Sequence, residues 1–221
     1  MREILDLLAM PVLETLLMVV SATAIAAAVG GFSGLALFYM SNERLSERAR
    51  QWSVVRKAAD RIINTLRSFP FIILMVLVLP LSRLIVGTSL GTVAAIVPLS
   101  VAASPFVARI VESALAEVDA GVVDAALACG ASKRRILFSI LVPEALPSLV
   151  SGLTLTMISL VGYSAMAGVI GGGGLGDLAI RYGYQRFRSD VMFASVVSII
   201  LLVEGIQMTG NAIAGKLRST R

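Results

Sequence analysis

Long apolar stretches constrain this chain more than any other feature of its sequence. Five stretches are each near 20 residues long or longer and contain little charge. An α-helix rises about 1.5 Å per residue and the hydrocarbon core of a bilayer is about 30 Å thick, so each stretch can cross a membrane. The sequence therefore predicts an all-α membrane protein with five transmembrane helices. The predicted spans are residues 15–40, 62–82, 90–108, 145–170 and 191–215.

The composition agrees with residence in a bilayer. Of the 221 residues, 57% are hydrophobic and 15% are charged, whereas about a quarter of the residues in a soluble domain are charged. The net charge of +5 does not indicate nucleic-acid binding, because the basic residues cluster between the spans and form no stripe with aromatic residues. Histidine is absent and Cys129 is the single cysteine. We therefore expect no internal disulfide, metal site or histidine-based catalysis.

Lys and Arg are unevenly distributed between the two sides of the predicted topology. Cytoplasmic loops of membrane proteins hold the excess of these residues. Segments 41–67 and 109–144 and the C-terminal tail contain 14 of the 19 basic residues. This predicts an outside N-terminus and a cytoplasmic C-terminus. The segment before the first span has no basic region and the apolar run continues past residues 26–28, so we expect an uncleaved first span.

The cytoplasmic segment 109–144 carries the most specific motif of the chain. The motif contains Asp124, Ala125, Ala126, Gly130, Ile140 and Pro143. We expect residues 122–129 to form a short helix with Asp124 in the first turn, where a carboxylate favours the helix dipole. Gly130 suits a left-handed helix end, Ser132 can cap the next helix, and Pro143 is expected to close it. An ordinary amphipathic connector is the alternative interpretation.

The spacing of this motif resembles the EAA loop of ABC importer permeases. That loop reads Glu-Ala-Ala, three residues, Gly, nine residues, Ile, any residue, Leu-Pro, and five of the seven defined positions match. Asp124 replaces the Glu and Val142 the Leu. In the family the loop is a coupling helix that sits in a groove of the ATPase subunit. The resemblance implies a type I importer permease fold, a single permease domain over residues 1–221, and ATPase coupling through the motif residues.

Longer segments are similar to the methionine importer permeases. These segments are residues 14–16, 67–74, 86–91, 95–99, 103–112, 141–149, 162–168, 174–176 and 182–184. The similarity implies a multi-pass subunit of the bacterial inner membrane that imports L- or D-methionine. It also implies a second copy of the chain, a dimer of ABC ATPase subunits and an extracytoplasmic methionine-binding protein as partners. The chain itself is expected to have no catalytic residue and no cofactor.

The fourth predicted span contains candidates for the translocation pathway. Tyr163, Ser164 and Met166 place polar, aromatic and thioether groups among small residues. Met is flexible and apolar, which suits a gate or contact with a thioether substrate. We therefore expect these three residues to line the pathway or its gate. Packing in the core or against lipid is the alternative for Met166.

Three motifs resemble active sites but do not predict one. Residues 210–216 have Walker A spacing, but Leu217 replaces the Ser or Thr that ligates magnesium. Residues 171–176 satisfy a dinucleotide glycine pattern without a preceding strand, and we expect a flexible turn there. Residues 162–166 begin like a nucleophile elbow, but the final Gly and a histidine base are missing.

Glu204 is an acidic residue inside the fifth predicted span. A carboxylate at the centre of a membrane helix costs about 2.5–3.5 kcal/mol on insertion scales. We expect Glu204 to face the interior of the helix bundle and to be dispensable for energy coupling. An ion-coupled secondary carrier is the alternative function that such a residue permits, and a permease for another amino acid is the alternative within the family.

Overall fold

The computed structural model describes residues 2–46 and 51–219, and these residues are helical apart from short connections. The α-helices are α1 (Arg2–Ser41), α2 (Ser53–Ser68), α3 (Phe71–Val86), α4 (Thr92–Ala116), α5 (Ala120–Ala128), α6 (Lys133–Ile136), α7 (Val142–Val169), α8 (Gly174–Leu178) and α9 (Ser189–Ser219). Two π-helical segments, Leu137–Leu141 and Ala179–Tyr184, follow α6 and α8. Arg48, Arg50 and Arg221, which support the predicted topology, lie outside the described residues.

Four helical stretches within the described residues are long and apolar enough to cross a membrane. They are Asp6–Ser41, α4, the continuous stretch Lys133–Val169, and α9. Helices α2 and α3 pass the same test together, but they are bent by 109° at the break between them. The described residues therefore contain four candidate spans, or five if the bent pair is one span. The predicted span 62–82 falls across this bend, and the helix that contains the predicted span 145–170 begins earlier, at Lys133.

Pro70 accounts for the bend between α2 and α3. Phe69 has an extended backbone, with φ −69° and ψ 132°, because the ring of a following proline disfavours the helical region. Pro70 has no N–H to continue the ladder of α2, and α3 begins directly after it. The 16 residues of α3 rise about 24 Å, less than the hydrocarbon core of about 30 Å. The bend therefore lies within the apolar layer or at its edge.

Helix α1 packs along α4 through small residues. A Cβ atom added to Gly30 would lie 2.4 Å from the carbonyl oxygen of Ser104, and one added to Gly34 would lie 2.4 Å from the carbonyl oxygen of Ala108. Real Cβ atoms do not approach other atoms this closely. The absence of side chains at Gly30 and Gly34 therefore lets the two backbones touch.

Replacing Gly30 with alanine should destabilise the chain, whereas the same change at Gly31 should not. Both substitutions improve helix propensity equally. A Cβ at Gly31 meets no heavy atom within 4 Å, so only Gly30→Ala forces α1 away from α4. We expect a loss of about 1–2 kcal/mol for Gly30→Ala. Thermal unfolding of both variants in detergent measures this, and equal stabilities would contradict the packing.

A separate apolar core joins the short helices to one end of the long ones. Five residues from different elements are buried together in this core. They are Leu45 after α1, Leu115 near the end of α4, Val123 of α5, and Ile136 and Leu141 of the stretch that leads into α7. We call this end of the bundle, where α5 and α6 lie, the connector end. The core fixes the position of α5 and α6 relative to the spans.

Glu204 does not occupy the position that the sequence predicts. Its side chain lies on the exposed face of α9, whose buried residues are Val191, Ser195, Gly210 and Ala214. The prediction that Glu204 faces the interior of the bundle is therefore wrong for the single chain. The helical repeat places Glu204 on a different face of α9 from these buried residues, so its side chain points away from the bundle.

Candidate functional site

The connector after α4 contains α5, which presents the motif residues. Helix α5 begins at Ala120, and the Asp119 side chain caps it by accepting a hydrogen bond from the Gly121 N–H at 2.6 Å. Asp124 is the fifth residue of the helix and is exposed. The prediction that Asp124 lies in the first turn is therefore wrong. Asp119 takes the N-terminal position because its short side chain can cap the free backbone N–H groups.

The end of α5 follows the prediction. Gly130 adopts the left-handed region with φ 76°. The Gly130 N–H bonds the Leu127 carbonyl at 2.9 Å, and the Ala131 N–H bonds the Ala126 carbonyl at 3.0 Å. Ser132 then accepts a hydrogen bond from the Arg135 N–H at 3.4 Å, as a cap of α6. The chain turns sharply between two short helices, and hydrogen bonds fix the turn.

The sequence predicts that Pro143 closes a helix, and this prediction is wrong. Pro143 lies in the first turn of α7. The π-helical segment Leu137–Leu141 precedes it, and the Val142 N–H bonds the Leu137 carbonyl five residues earlier. A proline ring clashes with the carbonyl four residues before it in an α-helix. The wider π turn avoids this pairing, so the helix continues through Pro143. Residues Lys133–Val169 thus form one helical stretch that joins the α5 turn directly to a span.

Ion pairs connect other elements at the connector end. The Arg44 Nε atom lies 3.1 Å from the Asp124 Oδ1 atom and joins the end of α1 to α5. Arg109 on α4 contacts Asp60 on α2 at 2.6 Å and Glu112 at 2.5 Å. From the sequence alone, these arginines indicate only the topology. The i, i+3 spacing of Arg109 and Glu112 was a visible sign of their pairing, whereas the contacts between helices had no sequence signal.

The three pathway candidates lie on α7 in different environments. Tyr163 stacks on Phe71 of α3, with ring centroids 4.5 Å apart. Ser164 is buried and donates a hydrogen bond to the Val161 carbonyl at 2.7 Å. Met166 is 46% exposed. Tyr163 and Met166 therefore present side-chain surface outside the packed core of the single chain, whereas Ser164 does not.

The opposite end of the bundle contains the glycine-rich turn, and we call it the glycine end. The Glu14 carboxylate accepts a hydrogen bond from the Gly174 N–H at 2.7 Å, and the Thr15 hydroxyl accepts one from the Leu175 N–H at 2.9 Å. Side chains of α1 thus cap α8. The predicted turn is present, but Gly174 is buried against α1. This contact had no signal in the sequence, because 160 residues separate the partners.

An ion pair follows the glycine-rich turn. Arg181 donates a hydrogen bond to the buried Asp177 carboxylate one helical turn earlier. This hydrogen bond and the charge of Asp177 raise the pKa of Arg181 above its usual value. The pair joins the start of the π-helical segment Ala179–Tyr184 to α8.

Residues 44–208 match a protein family described as "Binding-protein-dependent transport system inner membrane component". The match covers the bent pair α2–α3, the α5 turn and the helical stretch that leads into α7. The chain belongs to this family. As a member, the chain is a permease component of an ABC importer and a multi-pass protein of the inner membrane.

Individual relatives of this permease match most of its length. The probable D-methionine transport system permease protein MetI of Vibrio cholerae is 46% identical over 96% of this chain and 92% of the relative. The methionine import system permease protein MetP of Bacillus subtilis is 44% identical over 76% of this chain and 77% of the relative.

A solved structure has the same fold as this permease. It is described as an inward-facing conformation of the MetNI methionine ABC transporter, and it matches with a TM-score of 0.91 and 40% identity. The match covers 98% of this chain and 99% of that chain. The predicted all-α fold of a type I importer permease is therefore confirmed.

Proposed function

We propose that this permease is the membrane subunit of an ABC importer for methionine. The observation that carries the proposal is the match over nearly the whole chain to a methionine ABC transporter of known structure. Two relatives whose names include methionine transport or import also support the proposal, and their alignments cover 96% and 76% of this chain. The proposed domain is the whole chain, residues 1–221, with its spans at and around those predicted from the sequence.

The proposed assembly contains three kinds of protein partner besides lipid. Two copies of this chain form the pathway, and two copies of a separate ATPase subunit hydrolyse ATP at the connector end. An extracytoplasmic binding protein delivers methionine at the glycine end. The connector end is then cytoplasmic, with the C-terminus, and the N-terminus lies outside. The excess of Lys and Arg between the spans at the connector end supports this orientation.

We propose that α5 transmits the movement of the ATPase to the spans. The proposed coupling residues are Asp124, Ala125, Ala126, Gly130, Ile140 and Pro143. Asp124 and Ala125 are exposed on α5 and are available to a partner. Gly130 sets the angle between α5 and α6, and Ile140 and Pro143 lie in the helical stretch that continues into α7. A displacement of α5 therefore reaches α7 without passing through a flexible loop, as a rigid-body rearrangement requires.

We propose that α7 lines the translocation pathway through Tyr163, Ser164 and Met166. The surface that Tyr163 and Met166 present supports this role. The buried hydroxyl of Ser164 supports a role in packing beneath that surface. The movement of α7 would change how deeply Met166 is covered, so Met166 suits a gate better than the other two.

Uptake of radiolabelled methionine tests the proposed function. A strain without its own methionine importers is complemented with this chain, its ATPase and its binding protein. We expect ATP-dependent accumulation that is absent when the chain is omitted. Accumulation of another amino acid with none of methionine would instead support the alternative permease within the family.

Replacing Asp124 with alanine should weaken coupling and leave stability nearly unchanged. The Arg44 and Asp124 side chains are 47% and 55% exposed, and such exposed pairs contribute at most about 1 kcal/mol. If the carboxylate contacts the ATPase, uptake and retention of the ATPase should fall severalfold. Arg44→Met breaks the same ion pair and should leave uptake nearly normal. Equal losses in the two variants would mean that Asp124 acts only through Arg44.

A further inference from the structure

A small cavity lies between α4 and α7, away from the connector surface. Its lining includes Ala103 and Phe106 of α4 and Leu155, Ser159 and Tyr163 of α7. The cavity volume is about 110 Å³, somewhat smaller than an apolar protein cavity of about 150 Å³ that binds benzene. A cavity of this size takes a short apolar side chain but not a whole amino acid. Part of any larger ligand must remain at its mouth.

Two aromatic contacts bring the α2–α3 bend to the same cavity. The guanidinium carbon of Arg67 lies 5.0 Å from the centroid of the Phe106 ring. The ring of Phe71 stacks on Tyr163 at an interplanar angle of 11°. Residues on both sides of Pro70 thus contact rings that line the cavity. Helix breaks at membrane depth occur where backbone faces protein or water, and in secondary transporters such breaks form substrate sites.

An arginine without an ion pair lies beside the cavity. Among the described residues, Arg67 forms no ion pair, whereas Arg109, which follows Phe106 by three residues, has two carboxylate partners. A guanidinium pairs strongly with a carboxylate in two parallel hydrogen bonds. Arg67 is therefore suited to the carboxylate of an amino acid. The Ser159 hydroxyl in the cavity wall already donates a hydrogen bond to the Leu155 carbonyl at 3.0 Å.

We propose that this cavity is a binding site for the transported amino acid within the membrane. The thioether side chain enters between Phe106 and Tyr163, and the carboxylate of the amino acid pairs with Arg67. Sulfur is polarisable and makes favourable contacts with aromatic rings, which suits these two walls. The proposal rests on the proposed function, since that function names methionine as the occupant.

Protection of a single thiol from labelling tests this site. Cys129→Ser removes the only cysteine of the chain, and Ser159→Cys then places a thiol in the exposed wall of the cavity. The purified complex with the ATPase, without binding protein, is reacted with a small maleimide in lipid nanodiscs. The matched control is Ser113→Cys, an exposed residue of α4 outside the cavity. L-methionine should slow labelling severalfold at position 159 and leave position 113 unchanged.

Two further measurements separate the side-chain and carboxylate contacts. Alanine at the same concentration should not protect position 159, because it has no thioether to fill the cavity. Arg67→Gln should raise about tenfold the methionine concentration that gives half protection, as expected for the loss of a charge-assisted contact. Equal protection by alanine, or protection unaffected by Arg67→Gln, would overturn the corresponding contact.

The failure of the site and the failure of the proposed function give different results. If methionine does not protect position 159 while the complex with Cys129→Ser alone imports methionine with ATP, the site is wrong and the function stands. If that complex imports no methionine although it assembles and hydrolyses ATP, the proposed function is rejected, and the site is rejected with it.

Discussion

Replacing Gly130 with valine should reduce ATP-driven methionine uptake by about tenfold or more, while the chain still inserts into the membrane. Gly130 has φ 76°, where a β-branched residue is disfavoured by about 1–2 kcal/mol or more. An added Cβ meets no heavy atom within 4 Å, so the backbone alone carries the effect. A shift toward negative φ changes the angle between α5 and α6. The surface proposed to receive the ATPase then no longer has its docking geometry.

Gly130→Asn is the matched control for this prediction. Asparagine tolerates the left-handed region better than other residues with a side chain. The Gly130→Asn variant should therefore keep most of the uptake, although asparagine has a larger side chain than glycine. The two variants are compared at equal expression, by uptake and by co-purification with the ATPase. Normal uptake by a well-expressed Gly130→Val variant would contradict the role of this turn.

Replacing Arg109 with methionine should have the largest effect on stability among the charged residues considered. Arg109 pairs with Asp60 and Glu112, and the three side chains are only 25%, 24% and 14% exposed. Methionine keeps the side-chain length but leaves two carboxylates without their shared partner. Breaking a fully buried ion pair costs about 3–5 kcal/mol. We expect about 2–3 kcal/mol here, since solvent reaches part of the site.

Arg44→Met is the matched control, because Arg44 also joins two elements at the connector end but through an exposed pair. Its unfolding free energy should change by less than about 1 kcal/mol. The variants are compared by thermal unfolding in detergent, and the readout is the fraction of protein that stays monodisperse after heating. If Arg109→Met is as stable as Arg44→Met, the Arg109 cluster does not hold α2 against α4.

The membrane spans were predictable from the sequence because they depend on local composition. Apolar stretches of sufficient length identify spans regardless of how they pack. Helix ends were less predictable, since helices continue beyond the apolar layer, as Lys133–Val169 does beyond the predicted start at residue 145. The bend of 109° at Pro70 was less predictable as well, since the angle between α2 and α3 depends on packing. Pro143 was misassigned because a π turn, which accommodates it, has no clear sequence signal.

The candidate site was predictable where a single residue type requires a particular backbone. Gly130 and Ser132 adopt the predicted roles because a left-handed helix end and a helix cap are local features. The contacts of Arg44, Glu14 and Arg67 were not predictable, since each joins segments far apart in the chain. Glu204 was misassigned because hydropathy identifies a span but not which of its faces is buried.

Transport by the purified assembly tests the central claim most directly. The permease, the ATPase and the binding protein are reconstituted in liposomes, and radiolabelled methionine is followed with ATP supplied on the ATPase side. The account predicts methionine accumulation against its gradient that requires ATP hydrolysis and does not require a proton gradient. Accumulation driven by a proton gradient without ATP, or ATP-driven accumulation of another amino acid in place of methionine, would contradict it.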